Sequence, residues 1–172
     1  MADHQGRRDA GDAMSVLGRI LPDRIDNRYR GHPLALWLFV PIALQKLAVS
    51  FTHLFKADGG AQSISTMPLD TYPASAAQNI VGLMARLGVE QLLLGLLLVL
   101  VLVRYRTMIP LMYVLLVAHY LASRGVALMK PLVVAGTSGS RTPALVVAVL
   151  SAVGLVLSLV GRRYGDQASP GR

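Results

Sequence analysis

The side chains with chemical potential in this chain are Lys46, Ser50, His53, Arg86, Glu90, Gln91, His119, Tyr120 and Arg124. Each interrupts a run made mostly of Leu, Val, Ala and Ile. A charge held near the centre of a hydrocarbon slab costs roughly 2.5–3.5 kcal/mol on insertion scales, so such residues pair, line a cavity or serve a function. Glu90 is the only glutamate in the chain. Three chemistries fit the set. A buried ion pair, Lys46 or Arg86 with Glu90, would fix helix register, although desolvation can cancel its Coulomb gain. A ligand or redox-cofactor pocket could gather these polar groups between the spans. A proton or ion path would use Glu90 and His119 as relays.

Other chemistries find no candidates. The chain has no cysteine, which excludes disulfides, thiolate catalysis and iron–sulfur clusters on its own ligands. His53 and His119 are expected about 10 Å apart along the membrane normal, too far to share a metal or a haem, so no metal site is expected. The spans contain neither a serine–histidine–aspartate set nor paired carboxylates, and no catalytic motif is evident.

The elements that must position these residues are apolar runs at about 34–55, 80–103, 108–128 and 143–161. Each is long enough to cross a core of about 30 Å. With 53% hydrophobic and 15% charged residues in 172, the chain reads as all-α, an integral membrane four-helix bundle. Arg7, Arg8, Arg19, Arg24, Arg28 and Arg30 precede the first span, Arg104 and Arg106 fill the turn between spans two and three, and Arg162, Arg163 and Arg172 follow the fourth. Only Lys56, Lys130 and Arg141 lie on the opposite side. The positive-inside rule therefore puts both termini in the cytoplasm. The basic balance is a topology signal, with membrane lipid as the partner of the basic segments and no nucleic acid expected.

Residues 1–32 form a basic cytoplasmic extension, polar and disordered over 1–11. Its stretch 12–21 sets Ala13, Val16, Leu17, Ile20 and Leu21 on one helical face, which fits a short interfacial helix ended by Pro22 or a loose basic arm. Residues 33–161 form the membrane domain, with outer loops at 56–79 and 129–142, and 162–172 a disordered tail. Trp37 anchors the cytoplasmic end of the first span, and Pro41 should kink it or loosen its hydrogen bonding. Gly59-Gly60, Pro68 and Pro73 argue against regular structure in the first outer loop, and GTSGS in the second reads as a flexible connection. In the second span Gly88, Gln91 and Gly95 make a small-polar stripe suited to close packing. Ala144, Ala148, Ser151 and Ser158 do so in the fourth.

Aligning the spans by depth puts Lys46, Glu90 and His119 near the midplane. Ser50, Arg86, Ser123 and Arg124 fall in the outer half and His53 higher still. The expectation is a polar pocket between spans one, two and three, bottomed by Lys46, Glu90 and His119 and open outward.

Several of these residues also carry a family resemblance. Ala43, Lys46 and Leu47 resemble the GxxKL motif of DoxX-like four-helix membrane proteins. Glu90, Gly95, Leu97 and Leu98 are similar to their E-x4-G-x-L-L segment, and Arg104 and Arg106 to their short arginine-bearing turn. The resemblance covers about residues 34–128. It implies a four-helix inner-membrane module with Lys46 and Glu90 as its signature polar pair, associated in some members with quinone-linked oxidoreductase systems. The resulting expectation is a small multi-pass protein of the inner (plasma) membrane that binds a quinone-like or other amphiphilic ligand. It would act within a redox complex, as an accessory subunit of a membrane oxidoreductase, beside other membrane subunits or as a homo-oligomer. The alternatives are a small transporter or proton-conducting unit, and a structural or assembly subunit whose charges clamp helices.

Overall fold

A computed structural model describes residues 16–160. The expectations for 1–15, including the disordered start and half of the interfacial helix, lie outside the described residues, as does the tail beyond 160. Residues 16–20 are helical, with Val16, Leu17 and Leu21 exposed.

The membrane domain consists of α1 (Pro33–Phe55), α2 (Ala74–Arg104), α3 (Ile109–Met129) and α4 (Arg141–Leu159). Single 3-10 turns lie at Leu69–Thr71 and Arg106–Met108. All four helices are long and apolar enough to cross a membrane, and the described residues contain no strand. This is a multi-pass, all-helical membrane protein.

The boundaries follow from local chemistry. His32 caps α1 by accepting the Leu34 amide on Nδ1 at 3.2 Å, and Pro33 occupies the first helical position, where a missing N–H costs nothing. Pro41 interrupts the hydrogen-bond ladder of α1, but the helix runs on unbroken to Phe55. The second helix starts directly after Pro73, not at residue 80. Ala74, Ser75, Ala76 and Ala77 are too polar in company to score as membrane but readily helical, so α2 reaches 31 residues, about 46 Å at 1.5 Å per residue.

Helix α1 is the centre of the domain. It packs along α2 on one side and α4 on the other, and α3 closes onto α4. Helices α2 and α3 are consecutive yet meet only near the 105–108 turn that joins them, then diverge. The end of the bundle near that turn is filled by Phe39, Ile42, Leu98, Val101, Met112, Tyr113 and Leu116, all buried. Phe39 and Tyr113 meet edge to face, 5.3 Å between centroids, and the Tyr113 hydroxyl donates to the Ala35 carbonyl at 2.6 Å.

Glycines set the helix separations. A Cβ on Gly88 would lie 2.9 Å from the His53 Cβ, and one on Gly95 would lie 2.7 Å from Leu47 Cδ2, so α2 rests directly on α1. Gly154 does the same for the Tyr113 ring.

At the opposite end the two long loops are ordered against each other. Asp58 accepts amide hydrogens from Gly60, Gln62 and Ser63, and Gly59 and Gly60 take positive φ values that favour glycine. Ala61, Met67 and Leu69 form a small core against Ile80, Val81 and Met84 of α2. The Ala135 amide donates to Thr66 O and the Gly139 amide to Ile64 O, each at 2.8 Å. The 130–140 segment is therefore clasped to the first loop by backbone hydrogen bonds, where composition suggested a flexible connection.

Outside this interior the helices present a surface of exposed Leu and Val on every side. In water such a continuous apolar surface would drive aggregation. In a bilayer it is the lipid-facing surface.

Candidate functional site

Because α2 and α3 diverge, a cavity of about 360 Å³ opens at the loop end of the bundle. Helix α1 contributes Gln45, Lys46, Val49 and His53, α2 contributes Gln91, and α3 contributes Leu116, His119, Tyr120 and Ser123. Ile64 from the first loop, Gly139 and Ser140 from the second, and Pro143, Ala144 and Val147 from the start of α4 complete it. Its floor is the packed core below Leu116.

Of the residues singled out above, Lys46, His53, Gln91, His119 and Tyr120 line this cavity. Ser50, Arg86, Glu90 and Arg124 do not. Ser50 is fully buried and spends its hydroxyl on the Leu47 carbonyl one turn back, at 2.7 Å. Arg124 is exposed on α3, one turn beyond Tyr120. Arg86 lines a separate shallow depression on the outside of α2 with Gln78, Asn79, Gly82 and Leu83.

Glu90 is the main correction. It has the expected place along its helix but the wrong azimuth. Gly88 and Gly95 turn one face of α2 onto α1, which carries Gln91 to the cavity edge. Glu90, 100° back from Gln91, then lies on the exposed outer face with Arg86. The buried salt bridge expected between Lys46 or Arg86 and Glu90 is not formed. Among the described residues the ion pair present is Arg30–Asp26, 2.8 Å apart, near the start of α1 and exposed.

Lys46 is consequently a buried amine, 9% exposed, with no ion pair among the described residues. Among the described residues no carboxylate lines the cavity. The side-chain oxygen of Gln45, next in the chain, is buried without a hydrogen-bond partner. A buried polar atom left so costs about 1–3 kcal/mol, and a ligand or water would relieve it. Gln45 escaped the sequence reading because an amide beside a lysine carries no charge signal, and its azimuth becomes readable only once the helix neighbours of α1 are known.

His53 sits at the rim with Nδ1 2.6 Å from the Gly59 carbonyl. A carbonyl only accepts, so Nδ1 carries the hydrogen and Nε2 remains available as an acceptor. No group of three or more histidine, aspartate or glutamate residues among those described is arranged to hold a metal ion. The cavity thus combines apolar walls, one amine, two imidazoles, two amides, two hydroxyls and a phenol. Such a lining can hold the acceptor-bearing head of an amphiphile while its tail lies along Val49, Leu116 and Val147.

Set against protein-family models, functionally described proteins and solved structures, the chain matches none of them significantly.

Proposed function

We propose that this protein binds an amphiphilic, quinone-like ligand within the membrane, its acceptor head group at Lys46 and its tail among the apolar walls. The observation that carries this reading is the buried Lys46, unpaired among the described residues, in a cavity of about 360 Å³. Small-molecule sites usually measure about 300–1,000 Å³ and combine apolar walls with a few convergent polar groups. The opening between α2 and α3 would let such a ligand enter sideways from lipid. The charge distribution supports N- and C-termini in the cytoplasm and an inner (plasma) membrane location, with the cavity opening outward. An accessory role in a membrane redox complex is supported by the DoxX-like motifs alone. In this chain their two signature residues, Lys46 and Glu90, have different surroundings, cavity and outer face.

A conducting role has less in its favour, because the turn end is filled by Phe39, Tyr113 and Leu116. The helix-clamp reading loses its ion pair.

Photolabelling with an azido-quinone in native membranes tests the proposal. Labelling should fall on residues facing the cavity, compete with unlabelled quinone, and drop in Lys46→Met. Non-competable labelling spread over the lipid-facing surface, or full labelling of Lys46→Met, would rule it out.

A further inference from the structure

Arg86 and Glu90 lie one turn apart on the outer face of α2, exposed and away from the other described helices. Leu83, Leu93, Leu97 and Leu100 continue that face, 62%, 63%, 42% and 48% exposed. Near the middle of a membrane span this leaves two opposite charges in hydrocarbon, and the chain itself does not bring them within ion-pairing distance. Arginine can reach toward a head-group region along its stem, but a mid-span glutamate is too short to do so.

We propose that this face is the contact between two copies of the chain, related by a two-fold axis along the membrane normal. Both copies insert in the same sense, so their α2 helices meet in parallel with each residue level with its own counterpart, and Arg86 of each reaches one turn along the axis, about 6 Å, to Glu90 of the other. The surface is complementary to itself: one positive and one negative side chain per copy become two crossed pairs with no net charge. A helix partner with only one sign of charge would satisfy one residue and leave the other in lipid. The outer flank suits close approach, since a Cβ on Gly82 would meet nothing within 4 Å and its neighbours Leu83 and Arg86 are exposed. Residues at 83, 86, 90, 93, 97 and 100 follow alternating three- and four-residue steps, the spacing at which two parallel helices interlock. The contact uses neither the cavity lining nor α4.

The absence of cysteine makes the test direct in the full-length chain. Single substitutions Leu93→Cys and Leu97→Cys should give an oxidised dimer in native membranes. Leu44→Cys on α1 and Val149→Cys on α4, comparably exposed, should not. In the Leu93→Cys background, Arg86→Glu or Glu90→Arg alone should lower cross-linking roughly tenfold or more, since each juxtaposes like charges at depth. Co-expression of the two variants under different tags should restore it as a mixed dimer with crossed pairs. Cross-linking to a different protein through Leu93→Cys would overturn the proposal. So would equal cross-linking from α1, α2 and α4, or a lack of rescue by the complementary pair when both variants are inserted.

Discussion

Gly154 of α4 gives up its side chain to the ring of Tyr113 on α3. A Cβ at 154 would fall well inside contact distance of the ring, whose hydroxyl is held by the Ala35 carbonyl of α1 at 2.6 Å. One glycine thus lets one tyrosine tie α1, α3 and α4 together at the closed end. Gly154→Ala should destabilise the protein by about 1–3 kcal/mol through overpacking. Tyr113→Phe should cost about 1–3 kcal/mol because the buried Ala35 carbonyl loses its side-chain donor. Thermal unfolding in a mild detergent measures both. A Gly154→Ala protein as stable as the parent would show that the ring has room to move.

The glycines between α1 and α2 should not be equivalent. At Gly88 an added methyl meets the Cβ of His53 at 2.9 Å and the backbone nitrogen of Leu54 at 3.2 Å, neither of which can rotate away. At Gly95 its nearest contact is the end of the Leu47 side chain, which has other rotamers. Gly88→Ala should therefore be the more destabilising, in the overpacking range of about 1–3 kcal/mol, and should also shift His53 at the cavity rim. The same thermal comparison decides the order, and the reverse order would contradict this contact geometry.

Asp58 gives the loop end a pH dependence. Burial alone would raise its carboxyl, but the backbone amides of Ser63 and Gly60 and the Ser63 hydroxyl outweigh that and hold it down at about 2. A folded-state value below the unfolded one, about 3.9, adds stability that is complete above pH 4. That contribution is lost as the pH falls from about 4 through about 2. Amide exchange at Gly60, Gln62 and Ser63 should lose protection over that window, relative to the intrinsic rates. In Asp58→Asn the protection should already be low at neutral pH and lack this acid transition.

The four helices were legible because hydropathy over some twenty residues overrides everything else in a membrane chain. The start of α2 was not, because Ala74–Ala77 are helical by propensity and only weakly apolar. Depth along each span could be counted, and Lys46, Gln91 and His119 do reach one cavity. Azimuth could not be counted, since it depends on which neighbour each helix chooses. Gly88 and Gly95 held that information for α2. A glycine stripe marks the face that meets another helix, and measuring Glu90 from that stripe puts it on the outside. The clasp between the loops was hidden for a different reason: its hydrogen bonds are backbone to backbone and leave no mark on composition.

Lys46 and Glu90 should separate cleanly by experiment. Lys46 faces the cavity and Glu90 faces outward, so their substitutions should affect different measurements. Lys46→Met removes a buried amine, unpaired among the described residues, and replaces it with a flexible apolar side chain of similar length. Stability should hold or rise, while affinity for an acceptor-headed amphiphile should drop by about 1.5–3 kcal/mol, roughly ten- to a hundredfold, the worth of a hydrogen bond to a charged group. Glu90→Gln should leave that affinity within about 0.5 kcal/mol of the parent, as surface changes away from a site usually do. It should instead weaken association between copies, where it removes the carboxylate that faces Arg86. Titrating the purified protein with a short-chain quinone, alongside a sizing measurement in the same detergent, reads both effects on one sample. Loss of quinone affinity in Glu90→Gln with unchanged association would return Glu90 to the cavity and overturn the placement of α2 described above.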